Sequence, residues 1–108
     1  MNKKISYEKA DMKLIMSQDI IEGYWNENDY TKKLIGNLTS DKFDKIKNKI
    51  IALNKGANET KIIFTIFVIY YLKTKCADKL SEYRLVINKA EKYLQKNGIN
   101  YDNIVSGI

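Results

Sequence analysis

The run from Ile62 to Leu72 is apolar at every position but one, Thr65, and it limits what this chain can become more than any other feature. A segment that is apolar all round has no face to give to water, so it must be covered on most sides. It is far shorter than the roughly 20 residues that a membrane-spanning helix needs. Its β-branched and aromatic content favours a strand on propensity alone. Periodicity cannot choose between strand and helix for such a run, but the neighbouring segments can. They are amphipathic at helical spacing, and a lone long strand would have nothing to pair with. The run is therefore expected to be a central buried helix, opened near Asn58 as N-cap and closed by Lys73 and Lys75.

The surrounding segments supply the cover. A first helix is expected from Tyr7 to Ser17, capped by Ser6, with Tyr7, Ala10, Leu14 and Ile15 on one face. A second, short one begins near Asn28 and stops before Gly36, burying Tyr30, Leu34 and Ile35. A third runs from Ser40 to about Asn54, with Phe43, Ile46, Ile50 and Leu53 as a narrow apolar stripe. The last long helix, Ser81 to Lys96, carries Tyr83, Val86, Ile87, Ala90, Tyr93 and Leu94 at i, i+3, i+4, i+7 spacing. Gly36, Gly56 and Gly98 each stand where a helix would end in a left-handed cap, and Gly23 reads as a tight turn. The tail from Ile99 to Ile108 is too apolar for a loose end and is expected to pack back on the bundle. With 108 residues and no proline, the expectation is one domain, residues 1–108, all-α, a compact bundle of about five helices. It is either a whole protein or the C-terminal part of a larger one.

Composition narrows the chemistry. The chain has no histidine and a single cysteine, Cys76. It lacks the commonest general base and the commonest neutral metal ligand. It cannot form an internal disulfide, a zinc cluster of thiolates or a Cys–His nucleophilic pair. Asp41 and Asp44 are paired carboxylates in spacing only, since lysines surround them. No enzyme activity, cofactor or metal is expected. With no secretory signal, the chain is expected to be soluble and cytoplasmic.

The net charge of +6 concentrates in residues 28–58, where seven lysines meet three acids. A basic surface attracts nucleic acid or acidic protein. Eighteen of the nineteen positive residues are lysine, and only Arg84 is an arginine. Bidentate base reading relies on arginine, so weak, non-specific phosphate contact is the most that this surface implies.

Two segments carry a family pattern. Thr65 sits in the apolar run ahead of Tyr71 and Leu72, and the next helix holds Glu82, Leu85, Val86, Lys89, Ala90 and Leu94 in SEYRLVINKAEKYL. Upstream, LIMSQDIIEGYW places Leu14, Gln18, Gly23 and Trp25. This resembles the C-terminal helical domain of proteins that combine a VIT domain with a von Willebrand A domain. Those domains show a leucine-rich helix, a glutamine, a D-G-S-W-like turn, a W-A-T-A-L-A-L-A-W-L helix and an E-W-x-L-V…K-A…W-L helix. Tyr71, Tyr83 and Tyr93 stand where tryptophans are usual, and Phe64, Phe67 and Tyr70 where small or aliphatic residues are. In the vault poly(ADP-ribose) polymerases this region binds the major vault protein, outside the ADP-ribosyltransferase domain. The resemblance implies the same cargo-recruiting role here and carries over no catalytic residue. Two other readings stay open: a structural module packing on a VIT or von Willebrand A domain of its own chain, and a basic, weakly nucleic-acid-binding helical domain.

The candidate partner-binding residues are Lys42, Lys45 and Lys49, expected to point outward from the third helix, with Tyr101, Ile104 and Val105 of the tail. An apolar centre with a charged rim is the usual anatomy of an interface. The competing expectation is that the tail simply covers the core. Trp25 reads as the closure of one end of the core rather than an exposed anchor. Tyr70, Tyr71, Tyr83 and Tyr93 read as core residues with hydroxyls at the edge rather than as a base-stacking platform.

Overall fold

The computed structural model describes residues 13–37, 40–75 and 80–106, and every regular element in them is helical. A short helical turn over 13–16 leads through a loop to α1 (Asp29–Asn37) and α2 (Ser40–Ile51). One 3-10 turn (Gly56–Asn58) then precedes α3 (Glu59–Lys75), α4 (Leu80–Lys96) and the short α5 (Tyr101–Val105). The chain is an all-α bundle, and α3 is its axis.

The apolar run folds as a helix because neighbours reach it from all round. α3 packs against α1, α2, α4 and the 3-10 turn. Residues Ile62 to Ile69 are all buried, and so are Tyr71 and Leu72. Each large apolar side chain taken from water contributes about 1.5–3 kcal/mol, which outweighs the modest preference of β-branched residues for strands. From α2, Ile46 and Ile50 are fully buried, while Phe43 meets Phe67 edge-on at 4.9 Å and Phe64 at 5.5 Å. From α4 come Ile87, Ala90, Tyr93 and Leu94, flanked by the half-buried Tyr83 and Val86.

α4 ends as its sequence implies. Gly98 takes φ +75°, Ile99 N–H donates to Leu94 O at 2.8 Å and Gly98 N–H to Gln95 O at 3.0 Å. This is the paired closure of a Schellman motif, with Ile99 buried against Leu94 as its apolar clasp. The chain then reverses into α5, capped by Asn100, whose side chain accepts from Asn103 N–H at 3.0 Å. Tyr101 and Ile104 are buried and Val105 packs beside them, so the tail is part of the core.

Several expectations need correction. Tyr30 is exposed and Thr31 is buried in its place. Asn28 caps α1 by accepting from Tyr30 N–H at 2.8 Å and Thr31 N–H at 2.9 Å, while Thr31 Oγ1 accepts from Asn28 N–H at 2.9 Å. That reciprocal cap fixes the rotation of the helix and turns residue 31 inward. α1 runs through Gly36 to Asn37, so Gly36 ends nothing. α2 stops at Ile51, short of Asn54, and Leu53 is exposed because the chain has already left the helix axis. Asn58 does not cap α3: its amide donates to Asn97 Oδ1 at 3.2 Å. The expectations for Ser6, Tyr7, Ala10, Cys76 and Ile108, and for the side chains of Leu34 and Ile35, lie outside the described residues.

Candidate functional site

The loop between the 13–16 turn and α1 is fastened to the bundle by a compact knot of polar contacts. Thr65, the polar position of the apolar run, is fully buried; its hydroxyl donates to Lys61 O at 2.6 Å and accepts from Trp25 N–H at 2.8 Å. Trp25 is fully buried too, and its indole N–H donates to Leu14 O at 2.9 Å. Gln18 reaches across with its amide, donating to Gly23 O at 2.8 Å and to Val86 O at 3.0 Å. Asp19 Oδ2 accepts from the N–H groups of Ile21 and Glu22, which tightens the turn before Gly23. Gly23 takes φ +91° and rests on the backbone of Lys89 in α4. Each buried donor here has an acceptor, which a buried backbone segment requires.

The knot joins residues that lie far apart in the chain. Leu14, Gln18, Gly23, Trp25, Thr65, Val86 and Lys89 all take part in it. The role of Trp25 as a closure of the core is met. The clamp made by Gln18 carries no periodic signal, because a side-chain amide that bridges two carbonyls has no spacing rule.

The proposed binding residues divide. Lys45 is exposed. Lys42 and Lys49 are not free outward charges, contrary to expectation. Lys42 Nζ donates to Tyr70 Oη at 2.8 Å and stands 5.3 Å from that ring's centre. Lys49 Nζ donates to Ile104 O at 2.8 Å and Ser106 O at 2.9 Å, closing the C-terminal end of α5. A long lysine stem can lie along apolar surface while its ammonium finds carbonyls nearby, and unpaired carbonyls at a helix end attract it. Lys49 and the tail are thus brought together, but as a clasp within the fold. Asp41 and Asp44 are both exposed.

The tyrosines serve the core more than the surface. Lys73 Nζ pairs with Glu91 at 3.0 Å and lies 4.6 Å over the Tyr101 ring. Burial, then the Glu91 carboxylate, holds the Tyr101 phenol well above its usual range. Tyr93 packs on Tyr24 at 5.2 Å, and burial followed by Glu22 raises its phenol as well. Its hydroxyl is not at the edge as expected: Tyr93 Oη is buried without a hydrogen-bond partner. Such a group costs its desolvation and gains nothing in return. Tyr93→Phe is therefore expected to leave the fold intact and to raise stability by up to about 1 kcal/mol, read from urea unfolding at neutral pH. A loss of stability would mean that the hydroxyl has a partner.

Among the described residues, no group of three His, Cys, Asp or Glu side chains is placed to hold a metal ion, and no helix is long and apolar enough to cross a membrane. The outer surface of α4 carries an open groove of ≈ 390 Å³, walled by Leu85, Asn88, Lys89, Glu91, Lys92 and Gln95. Beside it the turn exposes Ile20 and Ile21, more than four-fifths open to solvent, as is Leu85. The stripe of α4 leaves Leu85 out, which is the signal that could have marked it. In comparison with protein-family models, curated proteins and solved structures, the chain matches none.

Proposed function

We propose that this chain is a helical protein-interaction domain that binds the major vault protein and so recruits its parent protein into the vault particle in the cytoplasm. One observation supports the reading. The residues that carry the resemblance to the C-terminal domains of VIT and von Willebrand A proteins are scattered over three segments, and most of them meet in the single knot around Trp25, Thr65 and Gln18. A chance resemblance in apolar segments would fall on unrelated core positions. Here the matched glutamine, glycine, tryptophan and threonine depend on one another physically.

The domain works by surface rather than chemistry. It has no histidine, and any ADP-ribosyltransferase activity belongs to another part of the parent protein. The nucleic-acid alternative draws on the lysines of α2, and two of these, Lys42 and Lys49, are committed within the fold. The test is retention of purified major vault protein, and of assembled vaults, on the immobilised chain at physiological salt. Saturable binding is expected. If the folded chain retains neither, the vault reading fails and the module that packs against its own parent takes its place.

A further inference from the structure

We propose that the Ile20–Ile21 turn and the outer groove of α4 form one self-complementary face, and that this face binds a second copy of the chain. The inference goes beyond vault binding and does not depend on it.

The turn and the groove are neighbours. Lys89 is the seam between them: it walls the groove, its Nζ donates to Ile20 O, and Gly23 rests on its backbone. Leu85 stands one helical turn before Lys89 and so on the same side of α4. Exposure is high at all the apolar positions: Ile20 82%, Ile21 83%, Leu85 81%, and Met16 76% in the preceding turn. Among the described residues, none of these side chains belongs to the buried core. The turn that carries Ile20 and Ile21 is closed by Asp19 and Gly23, without help from the two isoleucine side chains.

Shape and charge name the occupant. The turn is a projecting apolar knob, and the groove is a trough with an apolar edge at Leu85. Asp19 and Glu22 flank the knob, with Glu22 3.7 Å from Lys96 at the exposed surface, whereas the groove is walled by Lys89 and Lys92 and by Glu91, whose charge Lys73 offsets at 3.0 Å, so the groove is positive on balance. Two chains of net charge +6 repel one another, so a contact between copies needs opposite signs where they touch. This face supplies both signs. A two-fold axis places the knob of each copy in the groove of the other, the isologous arrangement in which residue i meets j and j meets i. The four exposed side chains make a patch of the order found on monomers, about 300–600 Å², below the roughly 800 Å² per partner of a standard stable interface. The dimer is accordingly reversible and concentration-dependent.

Sedimentation velocity on the intact chain, from micromolar to millimolar protein, tests this. A monomer–dimer equilibrium is expected. Ile21→Asp and Leu85→Glu should each weaken it by at least about tenfold while leaving far-UV circular dichroism and melting unchanged, since both side chains are exposed. Glu22→Lys and Lys92→Glu should each weaken association, and the two together should recover part of it. A chain that stays monomeric at millimolar concentration overturns the proposal. So does a dimer that Ile21→Asp and Leu85→Glu both leave intact, because its interface would lie on another face.

Discussion

Trp25→Ala is expected to lower stability by about 3–5 kcal/mol, the range for removing a large aromatic side chain from a packed core. The indole is completely buried, and its N–H satisfies Leu14 O at 2.9 Å. Its removal leaves a cavity and takes away one of the hydrogen bonds to Leu14 O, which keeps those from the Ser17 hydroxyl at 2.6 Å and the Ser17 N–H at 3.1 Å. A domain of this size has about 5–15 kcal/mol in all, so the variant should melt more than 10 °C lower. Trp25→Phe separates the two effects: the ring still fills much of the space but cannot donate to Leu14, and an intermediate loss is expected. Far-UV circular dichroism during urea unfolding is the measurement. A loss below about 1 kcal/mol for the alanine variant would show that the loop is not fastened through Trp25.

The second large effect comes from adding a single methyl group. Gly23→Ala places a Cβ 2.7 Å from Lys89 Cγ, 2.8 Å from Lys89 O and 3.0 Å from Lys89 C. The lysine side chain can move aside, but its carbonyl belongs to α4 and cannot. At φ +91° an alanine also pays the steric cost of positive φ, about 1–2 kcal/mol. Relief requires lifting the loop, which strains both hydrogen bonds from Gln18. The sum is expected to be about 2–4 kcal/mol, combining this backbone cost with that of overpacking. Gly98→Ala is the control. It has a similar φ of +75°, but its new Cβ would meet only the flexible end of Lys55 at 3.2 Å. It should lose about 1 kcal/mol, from the backbone alone. Equal losses at the two glycines would mean that contact with α4 adds nothing.

What the sequence reveals here depends on how local each cause is. The helical state of α3 is legible because its surroundings exclude a strand. The end of α4 is legible because Gly98 and Ile99 carry the closure within a few residues. The packed tail is legible from apolar content alone. The rotation of α1 is not, since it is set by the Asn28–Thr31 cap, and nine residues give too short a pattern to show which way Tyr30 faces. The fate of Lys42 and Lys49 is hidden for another reason. A lysine looks the same in sequence whether it meets water or a partner 28 or 55 residues away. The knot was visible as separate motif residues, but its hydrogen bonds required the fold. Ile20 and Ile21 mislead in the opposite direction: apolar residues beside a helix suggest burial, and nothing local indicates that the turn carries them away from the core.

The order in which the bundle is covered bears on how it is made. During synthesis α3 leaves the ribosome after α1 and α2 but before α4 and α5, so the chain's most apolar segment is exposed while part of its shelter is still untranslated. Gln18 cannot complete its clamp until Val86 has emerged, and Lys49 has no carbonyls to hold until Ile104 and Ser106 follow. At translation speeds of about 5–20 residues per second, the interval lasts seconds, long compared with collapse of a chain this size. Through that interval Ile62 to Leu72 is apolar surface without the cover that α4 and α5 later supply, the condition under which a nascent chain is most exposed to aggregation.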